Sequence, residues 1–216
     1  PINKVFVNKF VSSIKNKKFL PKIDKLIKKF KIKKNYIFLP NQYWVHKNHI
    51  VVLKALKLLG DKMLKKYQIQ IISTGSNKDY RDPDHFKNLI NYIKNNKLNN
   101  FYKYLGLIKH DQVLSLIYNA KSILNPSLFE GWSSTVEEAK SYEKHLILSN
   151  IGVHLEQKPK YCNYFNPKSP KNLAKLIMDV YKNKKLYKKK FKFKLTEKKL
   201  NKKIFDYSKK FCQRIV

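Results

Sequence analysis

The sequence predicts an α/β fold, a parallel sheet with helices on both faces. Three observations carry this. Short runs rich in Ile, Val, Leu, Phe and Tyr recur along the chain. Between them lie segments of about 10–15 residues with apolar positions three and four apart, the spacing of a helix face. Punctuating residues such as Pro40, Gly60 and Gly75 fall at the junctions.

The elements follow in order. Residues 5–11, VFVNKFV, predict a short strand or extended entry. In the lysine-rich stretch 12–34, Ile23, Leu26, Ile27 and Phe30 share one face of an amphipathic helix. Residues 35–39, NYIFL, form a strand that Pro40 ends, and 41–48 is a loop. Ile50, Leu53, Leu56 and Leu59 predict a helix over 49–60 that stops near Gly60. "IQIIST", 69–74, is a buried strand closed by Gly75, with a polar loop at 76–83 and a helix over 84–97. "FYKYLG", 101–106, is a strand, and 111–120 a helix with Asp111 as its N-cap. "SILN", 122–125, is a strand, 134–144 a helix, "HLILS", 145–149, a strand and "NYF", 163–165, a last short one. Residues 169–183 form a helix with Ser169 as cap and Pro170 at its first position. Three regions result: a linker or partial element at 1–34, an α/β domain at 35–183 and a basic helical extension at 184–216.

Composition narrows the function classes. The 216 residues and 43% hydrophobic content imply a globular domain with extensions. No run approaches the 18 or so apolar residues of a membrane span. The chain starts at Pro1 without a methionine and shows no signal peptide, so a fragment is expected. The formal net charge is +34, which raises nucleic acid or an anionic membrane as partners. Only Arg81 and Arg214 are arginines, however, and base readers favour the two-pronged guanidinium. A lysine-rich composition is the preferred explanation, and no specific nucleic-acid partner is predicted. Cys162 and Cys212 are isolated, which fits a reducing, cytoplasmic setting. His46 and His49 lack a third ligand, so no metal site is predicted.

The chemistry concentrates in "NPSLFEGWSSTVEEAK", 125–140. Parallel sheets bind ligands outside the carboxyl ends of their strands, here at 40–48, 75–83, 106–110 and 126–134. Ser133 or Ser134 can cap the helix that follows, and its start presents unpaired N–H groups and partial positive charge. Gly131 lets a ligand approach the backbone. The combination suits phosphate. Glu138 lies one turn beyond Ser134, leaning back toward the same ligand. Geometry alone leaves Glu138 open between ligand contact and helix stabilisation. For Glu137, stabilisation of the first turn by about 0.3–1 kcal/mol is preferred. Val136, Ala139 and Tyr142 should face the sheet.

This stretch resembles the donor-site signature of the glycosyltransferase family 4, or group 1, type, in which Glu, seven residues and Glu span a strand-to-helix turn. Glu130 and Glu138 have that spacing. "YIFLPNQYWVHKNH", 36–49, "FYKYLGLIKHDQVLSLIYNAKSILNPS", 101–127, and the segment 145–177 resemble further family segments in the same order. The resemblance covers about 35–183. It implies a Rossmann-like fold, the donor-binding half of a two-domain GT-B enzyme, that transfers sugar with retention and without a bound metal or other cofactor. It implies that Glu130 holds the donor sugar's hydroxyls and that Lys47 neutralises the leaving diphosphate. The amides of Gly131, Trp132, Ser133 and Ser134 would hold sugar and diphosphate, Glu138 the ribose, and the loop at Ile108 the base.

Two departures stand out. Gln42 occupies a position where many members carry arginine, and Gly131-Trp132-Ser133 replaces the common Gly-Phe-Gly. Trp132 could stack on sugar or fill the core, and core packing is preferred. The expected partners are a UDP- or GDP-linked sugar, a glycan or lipid-linked acceptor, and an anionic membrane surface beneath the lysine-rich end. One half of the enzyme should bind donor without turning over alone. The alternatives are a basic nucleic-acid-binding protein, a nucleotide-sugar module without transferase activity, or a sugar-nucleotide epimerase.

Overall fold

The computed structural model describes residues 17–183 and 193–212. The strand read at 5–11 and the start of the extension at 184–192 lie outside them. Six strands, β1 (Ile37–Pro40), β2 (Ile71–Thr74), β3 (Tyr102–Tyr104), β4 (Ser122–Asn125), β5 (Leu146–Ser149) and β6 (Cys162–Phe165), form one sheet. Its order is β3-β2-β1-β4-β5-β6, and every neighbouring pair is parallel. Ile37 lies opposite Ile71 on one side and Ser122 on the other. The fold is Rossmann-like, as the alternation of elements predicts.

Alternation within each strand builds two cores. Ile37, Leu39, Ile71 and Leu124 face helices α2 (His49–Lys66), α3 (His85–Asn95) and α7 (Pro170–Lys182). Tyr36, Phe38, Ile72 and Ile123 face α1 (Ile23–Phe30), α4 (His110–Asn119) and α5 (Ser134–Ser141). Each fully buried Ile or Leu contributes roughly 2 kcal/mol. Leu20, Leu26 and Ile32 are buried in the second core, so α1 and its flanks belong to the packed domain. Val136, Ala139 and Tyr142 are buried there too, on the sheet-facing side of α5.

The structure amends several boundaries. Gly60, at φ 70° and ψ 157°, breaks the helical hydrogen-bond ladder as expected. The chain then re-enters helix as far as Lys66, because Leu64 returns to the core. Over 17–34 the helix covers only Ile23–Phe30, after a 3-10 turn at Lys17–Phe19. Asp111 is not the N-cap of α4. Lys109 is extended, the helix starts at His110, and Asp111 lies in the first turn. The short α6 (Gly152–Gln157) was not foreseen. Ser133 and Ser169 do cap α5 and α7, accepting from the Val136 and Asn172 amides. Residues Phe193–Cys212 form α8. Among the described residues, no helix is long and apolar enough to cross a membrane.

Strand order reverses between β1 and β4. Their two exit loops therefore diverge onto opposite faces and leave a crevice at the carboxyl edge. Lys47 and Glu130 lie on those two loops.

Candidate functional site

The crevice is an open cleft of about 340 Å³. Gln42 and Lys47 from the β1 loop, Ile108 and His110 from the β3–α4 junction, and Glu130, Trp132, Ser133, Ser134 and Glu138 after β4 all line it. Gly131 lies between lining residues and is exposed.

The β4 loop is organised by Asn125, which is fully buried. Its side-chain oxygen accepts from Asn41 Nδ2 at 3.0 Å and from the Ser127 backbone N–H at 3.3 Å. Its amide nitrogen donates to Ser133 Oγ at 3.0 Å and Glu130 Oε1 at 3.2 Å. One side chain thus joins both exit loops to the cap of α5. Ser127 Oγ also lies 2.7 Å from Glu130 Oε1. The other carboxylate oxygen, Oε2, accepts from Lys47 Nζ at 2.7 Å. Burial pushes the Glu130 carboxyl up, but Lys47, Ser127 and Asn125 more than offset this and hold it below the ordinary value.

The β1 loop is anchored from beneath. His49 is fully buried and stacked on Tyr43, with ring centroids 4.0 Å apart. Its Nε2 lies 3.0 Å from the Gln42 carbonyl, which can only accept, so that nitrogen carries the proton. Nδ1 then accepts from the Tyr102 hydroxyl at 2.8 Å. Tyr102 receives from Tyr43 at 3.0 Å, and Tyr43 receives from Ser73. Burial lowers the His49 pKa to about 4, which keeps the ring neutral and the chain of bonds ordered.

Gly75 permits the close approach of β2 to this loop. A Cβ there would stand 2.4 Å from the Asn41 carbonyl oxygen, and its φ of 148° suits glycine. Gly131 is different. A Cβ there would meet nothing within 4 Å, so internal packing does not require glycine at 131.

At the start of α5, Ser133 satisfies the Val136 amide, while the Ser134 and Thr135 amides have no intrahelical acceptor. Glu138 sits in the cleft and takes a hydrogen bond from His110 Nε2 at 2.8 Å. Glu137 is buried and bound to Lys140 Nζ and Gln157 Nε2, both at 2.9 Å. Adjacent carboxylates on one helix therefore serve different surroundings.

Trp132 does not fill the core. It is half-buried on the cleft wall, and its indole N–H is buried without an acceptor among the described residues. The cation missing at Gln42 is not restored. Arg81 binds Asp79, with Nε to Oδ1 at 2.9 Å, and does not line the cleft. Lys47 is the single lysine or arginine among the lining residues. Sequence reasoning missed Asn125, Ser127 and His110. Of these, only the placement of Asn125 and Ser127 inside the signature itself was a usable signal.

The family described as Glycosyl transferases group 1 matches residues 22–194. The chain belongs to the group 1 glycosyl transferases. Solved structures of this fold agree at low identity. The Anabaena Alr3699/HepE structure in complex with UDP is 16% identical with a TM-score of 0.72, over 89% of this chain and 52% of that one. A glycosyltransferase from Rickettsia africae is 21% identical with a TM-score of 0.67, over 87% and 51%. A UDP-forming α,α-trehalose-phosphate synthase from Burkholderia xenovorans is 10% identical with a TM-score of 0.67, over 90% and 46%. This chain spans about half the length of each. No curated protein matches it. Among the described residues, no group of three or more His, Cys, Asp or Glu is placed to hold a metal ion.

Proposed function

We propose that this group 1 glycosyl transferase chain binds the diphosphate of a nucleotide sugar in the cleft, and that its protein transfers the sugar with retention to a glycan or lipid-linked acceptor. One observation carries the reading: Glu130 and Glu138 share a single cleft with the α5 N-terminus and Lys47. A carboxylate repels phosphate but accepts well from vicinal hydroxyls. Acids at either end of a cationic site therefore suit a ligand with a sugar at each end of a diphosphate. HepE has been crystallised with UDP and with UDP-glucose, which supports a uridine donor here.

Each residue has a task in this reading. Glu138 accepts from the ribose, with His110 holding its other edge. The Ser134 and Thr135 amides and the α5 dipole hold phosphate oxygens. Lys47 donates one N–H to Glu130 and keeps two for the departing diphosphate. Such fixed donors stabilise charge as it develops on the leaving group. Glu130, clamped by Asn125, Ser127 and Lys47, orients the donor sugar. The positive charge comes from protein groups, and the donor binds without a metal. Trp132, on the cleft wall, offers its ring face to the sugar. Lipid-linked acceptors would place the enzyme at an anionic membrane, where exposed lysines of α8 such as Lys202, Lys209 and Lys210 attract the surface.

Calorimetry with UDP, GDP and their glucose and mannose conjugates tests this, with and without EDTA. Binding that survives EDTA is expected. A folded chain that binds none of them ends the proposal, and a loss of binding in EDTA ends its metal-free form. Flotation with phosphatidylglycerol vesicles at low salt checks the membrane contact, and a chain that stays unbound removes it.

A further inference from the structure

The geometry points to a second anion site, at the opposite edge of the sheet from the cleft, that takes a phosphate group of a small ligand or lipid headgroup. A cavity of about 430 Å³ opens at the amino ends of β1, β2 and β3. Lys31 ends α1, Lys33 leads into β1, Lys65 lies in the last turn of α2 and Lys103 is on the edge strand β3. Gln70 and Phe101 complete the floor.

The cavity is richer in lysine than the chain as a whole. About one residue in five of the chain is lysine, yet half of the eight residues lining this cavity are. The cleft described above has a single lysine on a longer wall. The cluster is also more than compensation for helix ends. Each C-terminus brings about half a negative elementary charge. The ends of α1, α2 and α3, with Asp61 beside Lys65 at 2.7 Å, supply about −2.5 against four lysines. The remaining charge is positive, which a phosphate group would offset.

The donors are partly prearranged. Lys103 Nζ donates to the Lys31 carbonyl at 3.0 Å, which holds it over the cavity rim. Lys33 Nζ stands 5.9 Å from the centre of the Phe101 ring. Among the described residues, no carboxylate pairs with Lys31, Lys33 or Lys103. Gln70 is 6% exposed, and its side-chain oxygen accepts from the Lys33 amide at 2.7 Å. That bond leaves the side-chain N–H₂ available as a neutral donor on the floor.

The test titrates inorganic pyrophosphate into the full 216-residue chain, followed by backbone amide NMR at physiological salt. Saturable shifts are expected at 31–33, 70 and 101–103, apart from any at 130–138. Lys33→Gln/Lys103→Gln should weaken this phase by about tenfold or more, the loss of two charge-assisted contacts. Lys171→Gln/Lys175→Gln removes two exposed lysines of α7 and should leave it unchanged. Phosphatidic acid vesicles form the second arm. Vesicle binding that Lys33→Gln/Lys103→Gln abolishes, without a pyrophosphate phase, assigns the phosphate group to a lipid headgroup. Shifts confined to the donor cleft, shifts spread over lysines generally, or equal effects of the two double variants overturn the site, provided circular dichroism shows each variant folded.

Discussion

Lys47 Nζ and Glu130 Oε2 lie 2.7 Å apart, joining the loop after β1 to the loop after β4. Their side chains are 13% and 8% exposed, so this is a largely desolvated pair. It bridges the two loops of the crevice where the strand order reverses, and it sets both charged groups before any ligand arrives. Lys47→Met strands the Glu130 carboxylate, with only Asn125 and Ser127 to hold it. The expected cost is about 2–4 kcal/mol in urea unfolding. Lys47→Met/Glu130→Gln should recover much of that stability while nucleotide binding stays impaired. A double variant as unstable as the single one would show that the pair is not the source of the loss.

The neighbouring acids of α5 should separate stability from binding. Glu138→Ala is expected to weaken UDP by about tenfold or more, the loss of a charged acceptor for two hydroxyls. The same change should leave the unfolding midpoint nearly unmoved. Glu137→Ala removes the acceptor shared by Lys140 and Gln157 and should cost about 1–2 kcal/mol of stability with UDP affinity intact. Calorimetry and urea denaturation on both variants check this crossed pattern.

Gly75→Ala tests whether the cleft depends on the close approach of β2 to the β1 loop. The added Cβ would press on the Asn41 carbonyl, which belongs to backbone and cannot turn aside. A loss of about 2 kcal/mol or more is expected, together with weaker UDP binding as the loop shifts. Unchanged stability would mean that the loop yields freely.

His49 makes a prediction about acid. Its folded-state pKa is about 4, against 6.5 for the exposed imidazole. The unfolded chain therefore binds the proton first as pH falls. The stability that depends on a neutral His49 is fully present above about pH 7, declines below 6.5 and stops declining near 4. The total is about 3 kcal/mol at most. Urea midpoints at pH 7.5, 5.5 and 4.5 should fall in that order, and His49→Gln should flatten part of the slope. Side-chain NMR should show no His49 titration above pH 5. Glu130 adds an acid loss in a lower window: its depressed pKa gives a contribution that is full above the ordinary carboxylate value, starts to fall as pH drops through that value, and is gone below the folded-state value.

The sequence by itself determined the alternation of strands and helices, the caps at Ser133 and Ser169, and the pairing of Glu130 with Glu138 across one turn. All of these rest on contacts between residues close in the chain, where spacing sets geometry. Sequence reading placed Asp111 at the cap of α4 and Trp132 in the core, and it passed over α6. The first depended on one residue's backbone angles. The other two depended on what packs against them from elsewhere. Only the tertiary structure decided that Lys47 reaches Glu130, that Asn125 ties both loops together, and that His110 meets Glu138. These partners are 83, 84 and 28 residues apart. Their contact comes from the sheet order, which depends on the whole core at once and leaves no local pattern in the chain.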